Sequence, residues 1–416
     1  MAKKEDNFKE ILKGCKGSWV KMSEVKQWLL DNILDNMDRE TRITLNIWSA
    51  PGVGKTSLVK SLETHPVEWR DKKYDGFKVV DIPLAQIEEM GDVLGFPVEE
   101  IKLEWEGEVK WIKAVDSLIK EHLAKGWTTD GEQRTIYAPP SWVPREERPG
   151  ILLFDDGNRA SQRIMKGLMQ LVQDYRTISW SIPQGWTIIF TGNPDNRMNQ
   201  VTEMDTAQLT RMKHITLLPD VNEWANWAYT QKDLDIRLVQ WALKNPELFT
   251  PPKAERTNPR SLTEFARALR RFPGPMDDNK LARCEIEGNA SLDGEVVKSI
   301  MFFLEQNVGT PIEIDEILND SASAKSKLRE FMVCREPRLD IVTISCDRLL
   351  SYLLSNEYTF KQSHVANVQA FLTDENMPKD IVMSFVTRLV KNNRELAKRF
   401  LSQLSEYSRI GIGQLG

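Results

Sequence analysis

The sequence predicts an α/β fold: a five-stranded parallel sheet covered by helices, then a small helical domain, then a further mainly helical region. Three observations predict it. Short apolar segments alternate with helical periodicity through the first half of the 416 residues. A glycine-rich loop joins the first of those segments to a helix. After Pro219 the pattern turns helical and stays so.

The elements follow in order. Val25, Trp28, Leu29, Ile33 and Leu34 recur at helical spacing over 22–39, so a helix precedes the first strand. Ile43–Trp48 reads as a buried strand, followed by the loop and a helix from about Lys55. Phe77–Ile82 is the second strand. Gly150–Phe154 is the third and ends in two aspartates. Trp186–Phe190 is the fourth and runs into Thr191-Gly192-Asn193. His214–Leu218 is the fifth. Uninterrupted apolar strands of this length belong to parallel sheets buried on both faces, which bind ligands beyond their strand C-termini. Ser49, Asp155, Asp156 and Asn193 all stand at or just past such ends. An amphipathic helix is expected near Trp111–Leu123, and a hairpin over 176–186 with its turn at Pro183-Gln184-Gly185. Pro251-Pro252 and Pro273-Gly274-Pro275 break the helical half, and Leu389–Leu404 reads as one amphipathic helix, packed or partner-binding.

Composition narrows the function classes. The chain is long enough for two or three domains and for a core without staples. A net charge of −5 offers no general attraction to nucleic acid. Cys15, Cys284, Cys334 and Cys346 form no C-x-x-C pair and read as reduced thiols, with zinc ligation the weaker alternative. There is no apolar signal core at the N-terminus and no apolar run of membrane-spanning length. The expectation is a cytoplasmic protein without a membrane partner.

The loop Ser49-Ala50-Pro51-Gly52-Val53-Gly54-Lys55-Thr56, with Ser57 next, is a phosphate-binding pattern. Glycines let main-chain N–H groups approach phosphate oxygens, and the helix that follows presents unpaired N–H groups. Lys55 carries charge to the β- and γ-phosphates of ATP, and the Thr56 hydroxyl reaches Mg²⁺. Asp155 closes an apolar strand and suits Mg²⁺ through its water shell. Asp156 stands where a carboxylate orients and deprotonates the attacking water, and Asn193 is placed to hold the same water. The bland alternatives are a chance glycine-rich turn, helix-capping aspartates and a turn asparagine.

With Leu152–Ala160 (Leu-Leu-Phe-Asp-Asp-Gly-Asn-Arg-Ala), Phe190–Pro194 and Thr206–Met212, these residues resemble AAA+ ATPases, and more narrowly the MoxR-like and dynein-related group. Gln86–Pro97 and Ala138–Pro144 add to the likeness, which spans about 25–272. The resemblance implies an AAA+ core over 1–219, with insertions at 82–149 and the hairpin near 176–186. It also implies a helical lid at 220–272, leaving a mainly helical region at 276–416. It makes Asn193 sensor 1, Arg211 an arginine finger acting on a neighbouring subunit, and Arg260 sensor 2. Arg197 and Arg159 are the next finger candidates. It implies ATP and Mg²⁺ as cofactors, a homo-oligomeric, hexameric ring, and a partner protein that often bears a von Willebrand factor A-type domain. Three positions depart from the group's pattern: Ser49 for glycine, Asp156 for glutamate and Thr210 for aspartate.

The leading function is therefore an ATP-driven motor that remodels a partner. A slow or non-hydrolysing, nucleotide-gated assembly protein is the alternative, favoured by the shorter Asp156. A nucleic-acid translocase is a third class, opposed by the acidic charge.

Overall fold

The computed structural model describes residue 12 and residues 14–194, 204–250, 254–273, 276–305, 311–333, 337–355 and 358–401. The chain divides into two units, residues 1–219 and 220–416.

The first unit is a mixed α/β layer structure around a parallel sheet. Its strands are β1 (Ser18–Val20), β2 (Thr44–Trp48), β3 (Lys78–Pro83), β4 (Gly150–Asp155), β5 (Trp186–Gly192) and β6 (Met212–Leu217). They lie in the order β1-β6-β2-β5-β4-β3, every adjacent pair parallel. Six strands, not five, make the sheet. The extra one is the three-residue edge β1, too short to show alternation in the sequence. Gly17 lets it approach: a Cβ there would lie 2.1 Å from the His214 carbonyl oxygen.

The central strands β2, β4 and β5 are buried along their length, which explains their lack of polar alternation. Helix α1 (Met22–Asp38) covers one face through Val25, Leu29, Ile33 and Met37, together with Leu58 and Val59 of helix α2 (Lys55–Lys60). Helix α3 (Gln162–Asp174) covers the other through Ile164, Met165, Leu168, Leu171 and Val172. Its N-cap Ser161 accepts the Ile164 N–H. Tyr175, left-handed at φ 55°, ends it.

Between β3 and β4 the chain forms a three-stranded antiparallel sheet, Glu108–Lys113 beside Phe96–Trp105 beside Gln133–Ala138. The helix expected near Trp111–Leu123 is shorter, Asp116–Ala124. Trp111 lies instead in a strand, opposite Lys102. Ile112 of that strand is buried in one small apolar cluster with Ile101 and Leu103. Glu106 and Gly107, both at positive φ, make the two-residue turn. The expected hairpin over 176–186 is also smaller. Arg176 bridges Ser181 and the Thr177 N–H donates to the Trp180 carbonyl at 2.7 Å, so its turn lies at 177–180. Pro183-Gln184-Gly185 instead leads into β5, where Trp186 already pairs with Gly150.

The second unit is helical throughout its described residues, with two apolar cores. One gathers Ala225 to Leu304 with Ile344 and runs through the Pro273 break. The other gathers Ile312 to Phe400. The single helix expected over Leu389–Leu404 is two, Lys379–Asn392 and Arg394–Leu401, with 402–404 outside the described residues. Asn393 is extended and its side chain accepts the Leu396 N–H at 2.9 Å, an N-cap that starts the second helix. No helix among the described residues is long and apolar enough to cross a membrane.

Candidate functional site

The strand order builds the site. Because β2 lies beside β5 and β5 beside β4, the three C-terminal ends open at one edge of the sheet. The first carries the loop after Trp48, the second Asp155 and Asp156, the third Asn193.

The loop turns on two glycines, Gly52 at φ 78° and Gly54 at φ 106°. L-residues adopt such values only with strain. Gly54 caps α2, and the Leu58 N–H donates to its carbonyl at 2.8 Å. The N–H groups of the first turn precede any i−4 acceptor within the helix. Ser49, in the position usually held by glycine, is fully buried, and its N–H donates to the Gly192 carbonyl at 3.2 Å. That bond ties the loop to the end of β5.

Lys55 is 7% exposed. Its Nζ donates to the Ser49 carbonyl at 2.9 Å and to Asn193 Oδ1 at 3.0 Å. The other end of the same amide, Asn193 Nδ2, donates to Asp156 Oδ1 at 2.7 Å. A cation on one side and a carboxylate on the other fix which way the amide points. Asn193 is therefore the bridge between lysine and aspartate. Asp156, at φ 52°, sits left-handed, a conformation aspartate tolerates. Arg159 Nε lies 3.7 Å from its Oδ2.

The Thr56 hydroxyl lies 2.9 Å and 3.1 Å from the two oxygens of Asp155. These are hard oxygen donors at the foot of the loop, the chemistry Mg²⁺ prefers. No group of three or more His, Cys, Asp or Glu among the described residues could cage a metal alone. A cation at Thr56 and Asp155 would draw its other ligands from phosphate and water.

Sequence reasoning missed two supporting residues. Thr191, fully buried, donates to Asp155 Oδ1 at 2.5 Å and accepts the Asp156 N–H at 2.9 Å, so one hydroxyl sets both aspartates. Asn158 donates to the Asn193 carbonyl at 2.7 Å and accepts its N–H at 3.0 Å. Both residues lie in segments already singled out, but nothing local in a sequence says which strand end a short polar side chain will face.

The structure thus gathers Ser49, Lys55, Thr56, Asp155, Asp156 and Asn193. Arg211 is not among them. It lies past the short helix α4 (Thr206–Leu209), where its Nε donates to Gln173 Oε1 at 2.7 Å and its NH1 to the Ala207 carbonyl. Arg260 belongs to the second unit. It is exposed, and its guanidinium has no hydrogen-bond or ion-pair partner among the described residues, while its N–H donates to the capping Asn258. Arg197 lies outside the described residues. Cys15, Cys284 and Cys346 are free thiols, and Cys334 is also outside the described residues. Burial pushes Cys15 up to about 12, with Lys55 pulling the other way, so this thiol is not a ready nucleophile.

No family model matches the chain, and no curated protein matches it. Among solved structures it is similar to a mutant RuvB of Thermotoga maritima, at 13% identity and a TM-score of 0.33, over 72% of this chain and 76% of that one. It is also similar to a protein of Cytophaga hutchinsonii provisionally assigned as an ATPase, at 11% identity and a TM-score of 0.28, over 97% of this chain and 93% of that one. Both scores lie below 0.5, so neither likeness bears on function.

Proposed function

We propose that this chain is a Mg²⁺-dependent ATPase of the AAA+ class that works as a homo-oligomeric ring. The observation that carries it is the chain of contacts Lys55–Asn193–Asp156, set beside the Thr56–Asp155 pair at the mouth of a glycine-turned loop. Lys55 donates to the Ser49 carbonyl and to the Asn193 amide oxygen at the mouth of the loop, where an anionic ligand would make the stronger, charge-assisted bond. Phosphate oxygens would be taken up by Lys55 and by the N–H groups of residues 52–57. Thr56 and Asp155 would hold Mg²⁺, which neutralises charge on the β- and γ-phosphates. Once Lys55 turns to phosphate, Asn193 Oδ1 is released. Its amide and the Asp156 carboxylate then hold one water between them, oriented for attack and relieved of its proton by Asp156.

Arg211 completes the proposal. Its half-buried guanidinium, bonded to the Gln173 and Ala207 oxygens rather than to its own loop, suits a finger that acts on the neighbouring protomer's nucleotide. Such a finger stabilises charge developing in the transition state. Arg260 would sense nucleotide from a helical lid over 220–272. The MoxR-like resemblance extends the reading to remodelling of a partner protein, with a von Willebrand factor A-type domain as the expected kind.

Asp156 favours a second reading, in which nucleotide holds an assembly together and turns over slowly. Aspartate is one methylene shorter than glutamate, and general-base catalysis needs hydrogen-bond reach. Mg-ATP binding and steady-state turnover decide between them, measured for the wild type, Lys55→Ala and Asp156→Glu. The motor reading expects wild-type turnover that Lys55→Ala abolishes. A wild type that binds without turnover and is rescued by Asp156→Glu would establish the second reading. A wild type that does not bind nucleotide would refute both.

A further inference from the structure

We infer that His214 is a positioning residue, which links the phosphate loop to the segment bearing Arg211 so that an occupied loop is felt where Arg211 sits. The inference rests on the ATPase reading above and adds a route between two of its parts.

Trp48 is the last residue of β2, directly before Ser49. It is 4% exposed, and its ring packs against Gly192 so closely that a Cβ there would lie 2.8 Å from it. Gly192 in turn precedes Asn193 and accepts the Ser49 N–H. The Trp48 ring is thus wedged at the base of both the loop and the water-orienting amide. Its indole N–H donates to His214 Nδ1 at 3.1 Å. On the other side of the imidazole, Nε2 lies 2.8 Å from the carbonyl oxygen of Leu209. A carbonyl accepts only, so Nε2 carries the proton and Nδ1 is left as the acceptor for Trp48. Both contacts therefore require the same neutral tautomer. Burial favours the neutral ring and Lys16 adds to it, while the Leu209 carbonyl acts the other way, the net direction being toward neutral.

Leu209 ends α4, and Arg211 follows two residues later. The Arg211 N–H returns to the Gln208 carbonyl at 3.3 Å, and its NH1 to Ala207 in the same helix. Moving Leu209 therefore moves the frame on which the guanidinium sits. A second contact joins β2 to the residues just before α4, from Asn46 Nδ2 to Met204 Sδ at 3.9 Å. A histidine that merely filled space would need neither a fixed tautomer nor partners on two elements.

The test is hydrogen exchange read by mass spectrometry on the full chain, with and without a non-hydrolysable ATP analogue and Mg²⁺. It compares wild type, His214→Phe, Trp48→Phe and the double variant, with ATP turnover measured alongside. In the wild type, nucleotide should slow exchange over both 49–58 and 204–211. In either single variant the first effect should remain and the second disappear, while turnover falls by about tenfold with nucleotide affinity changed less than about threefold. The double variant should lose no more than a single one, because both cut the same link. A 204–211 response that survives in both single variants would overturn the inference, as would losses that multiply in the double. No protection of 49–58 in the wild type would overturn the nucleotide reading instead, and this inference with it. Trp48→Phe keeps the test decisive should His214→Phe fail to fold.

Discussion

Replacing Asn193 by alanine removes the amide that joins Lys55 to Asp156 and leaves the main chain intact, since Asn158 holds the backbone at this residue. The two ends of the amide are lost in different surroundings. Lys55 is buried and keeps the Ser49 and Ala50 carbonyls, so it gives up one charge-assisted bond, about 1.5–3 kcal/mol. Asp156 is partly exposed, and water replaces the lost donor at less than about 1 kcal/mol. The sum is about 1.5–4 kcal/mol, which at a urea slope of about 3 kcal/mol/M, the upper end expected for a unit this large, lowers the unfolding midpoint of the first unit by about 0.5–1.3 M. The effect on catalysis should be larger than this suggests. A water left to Asp156 alone loses its attack geometry, and a misplacement of that kind costs on the order of 100-fold. The assay pairs urea unfolding with steady-state ATP turnover at saturating Mg-ATP. Turnover within about twofold of wild type would refute the assigned role. So would a loss confined to KM, which would make Asn193 a binding residue.

Asn158→Ala should destabilise the first unit by on the order of 2–5 kcal/mol, because it strands the buried N–H and carbonyl of Asn193. Asn158→Asp keeps one of the two bonds but sets a buried carboxylate oxygen against the Asn193 carbonyl, so it should cost at least as much, as thermal unfolding would show. Gly54→Ala forces a Cβ onto φ 106° and should cost about 1–3 kcal/mol of strain, read as weaker Mg-ATP binding in calorimetry. His364 is 5% exposed with neither ring nitrogen partnered among the described residues, so His364→Leu should stabilise the helical unit by about 1 kcal/mol; a lower urea midpoint would contradict this. Burial lowers His214 and His364 below the ordinary value of 6.5, so the unfolded chain binds more protons than the folded one as pH drops. Stability should therefore be full above about pH 6.5 and decline below it, less steeply in His214→Phe, as pH-dependent urea titrations would report.

Some of this protein is written locally, and there the sequence is enough. Glycines at 52 and 54 permit the positive φ values the turn adopts, and Lys55-Thr56 after them opens a helix, so this loop and its helix are readable without a structure. The apolar runs ending at Trp48, Phe154 and Phe190 are equally plain, because strands buried on both faces admit few polar residues. What periodicity cannot report is which strand lies beside which. Lys55 and Asn193 are 138 residues apart, and their 3.0 Å contact exists because β5 pairs with β2 in register, Gly192 opposite Trp48. β5 beside β4 lets Thr191 reach both aspartates and brings Asn158 under Asn193, and β6 beside β2 sets His214 between Trp48 and Leu209. The edge strand Ser18–Val20, the tight turn at 177–180 and the break at Asn393 were likewise settled by packing and capping rather than pattern. The chemistry of the site was determined residue by residue. Its wiring was decided by strand order, because hydrogen bonds between distant segments depend on a register that no local stretch of sequence encodes.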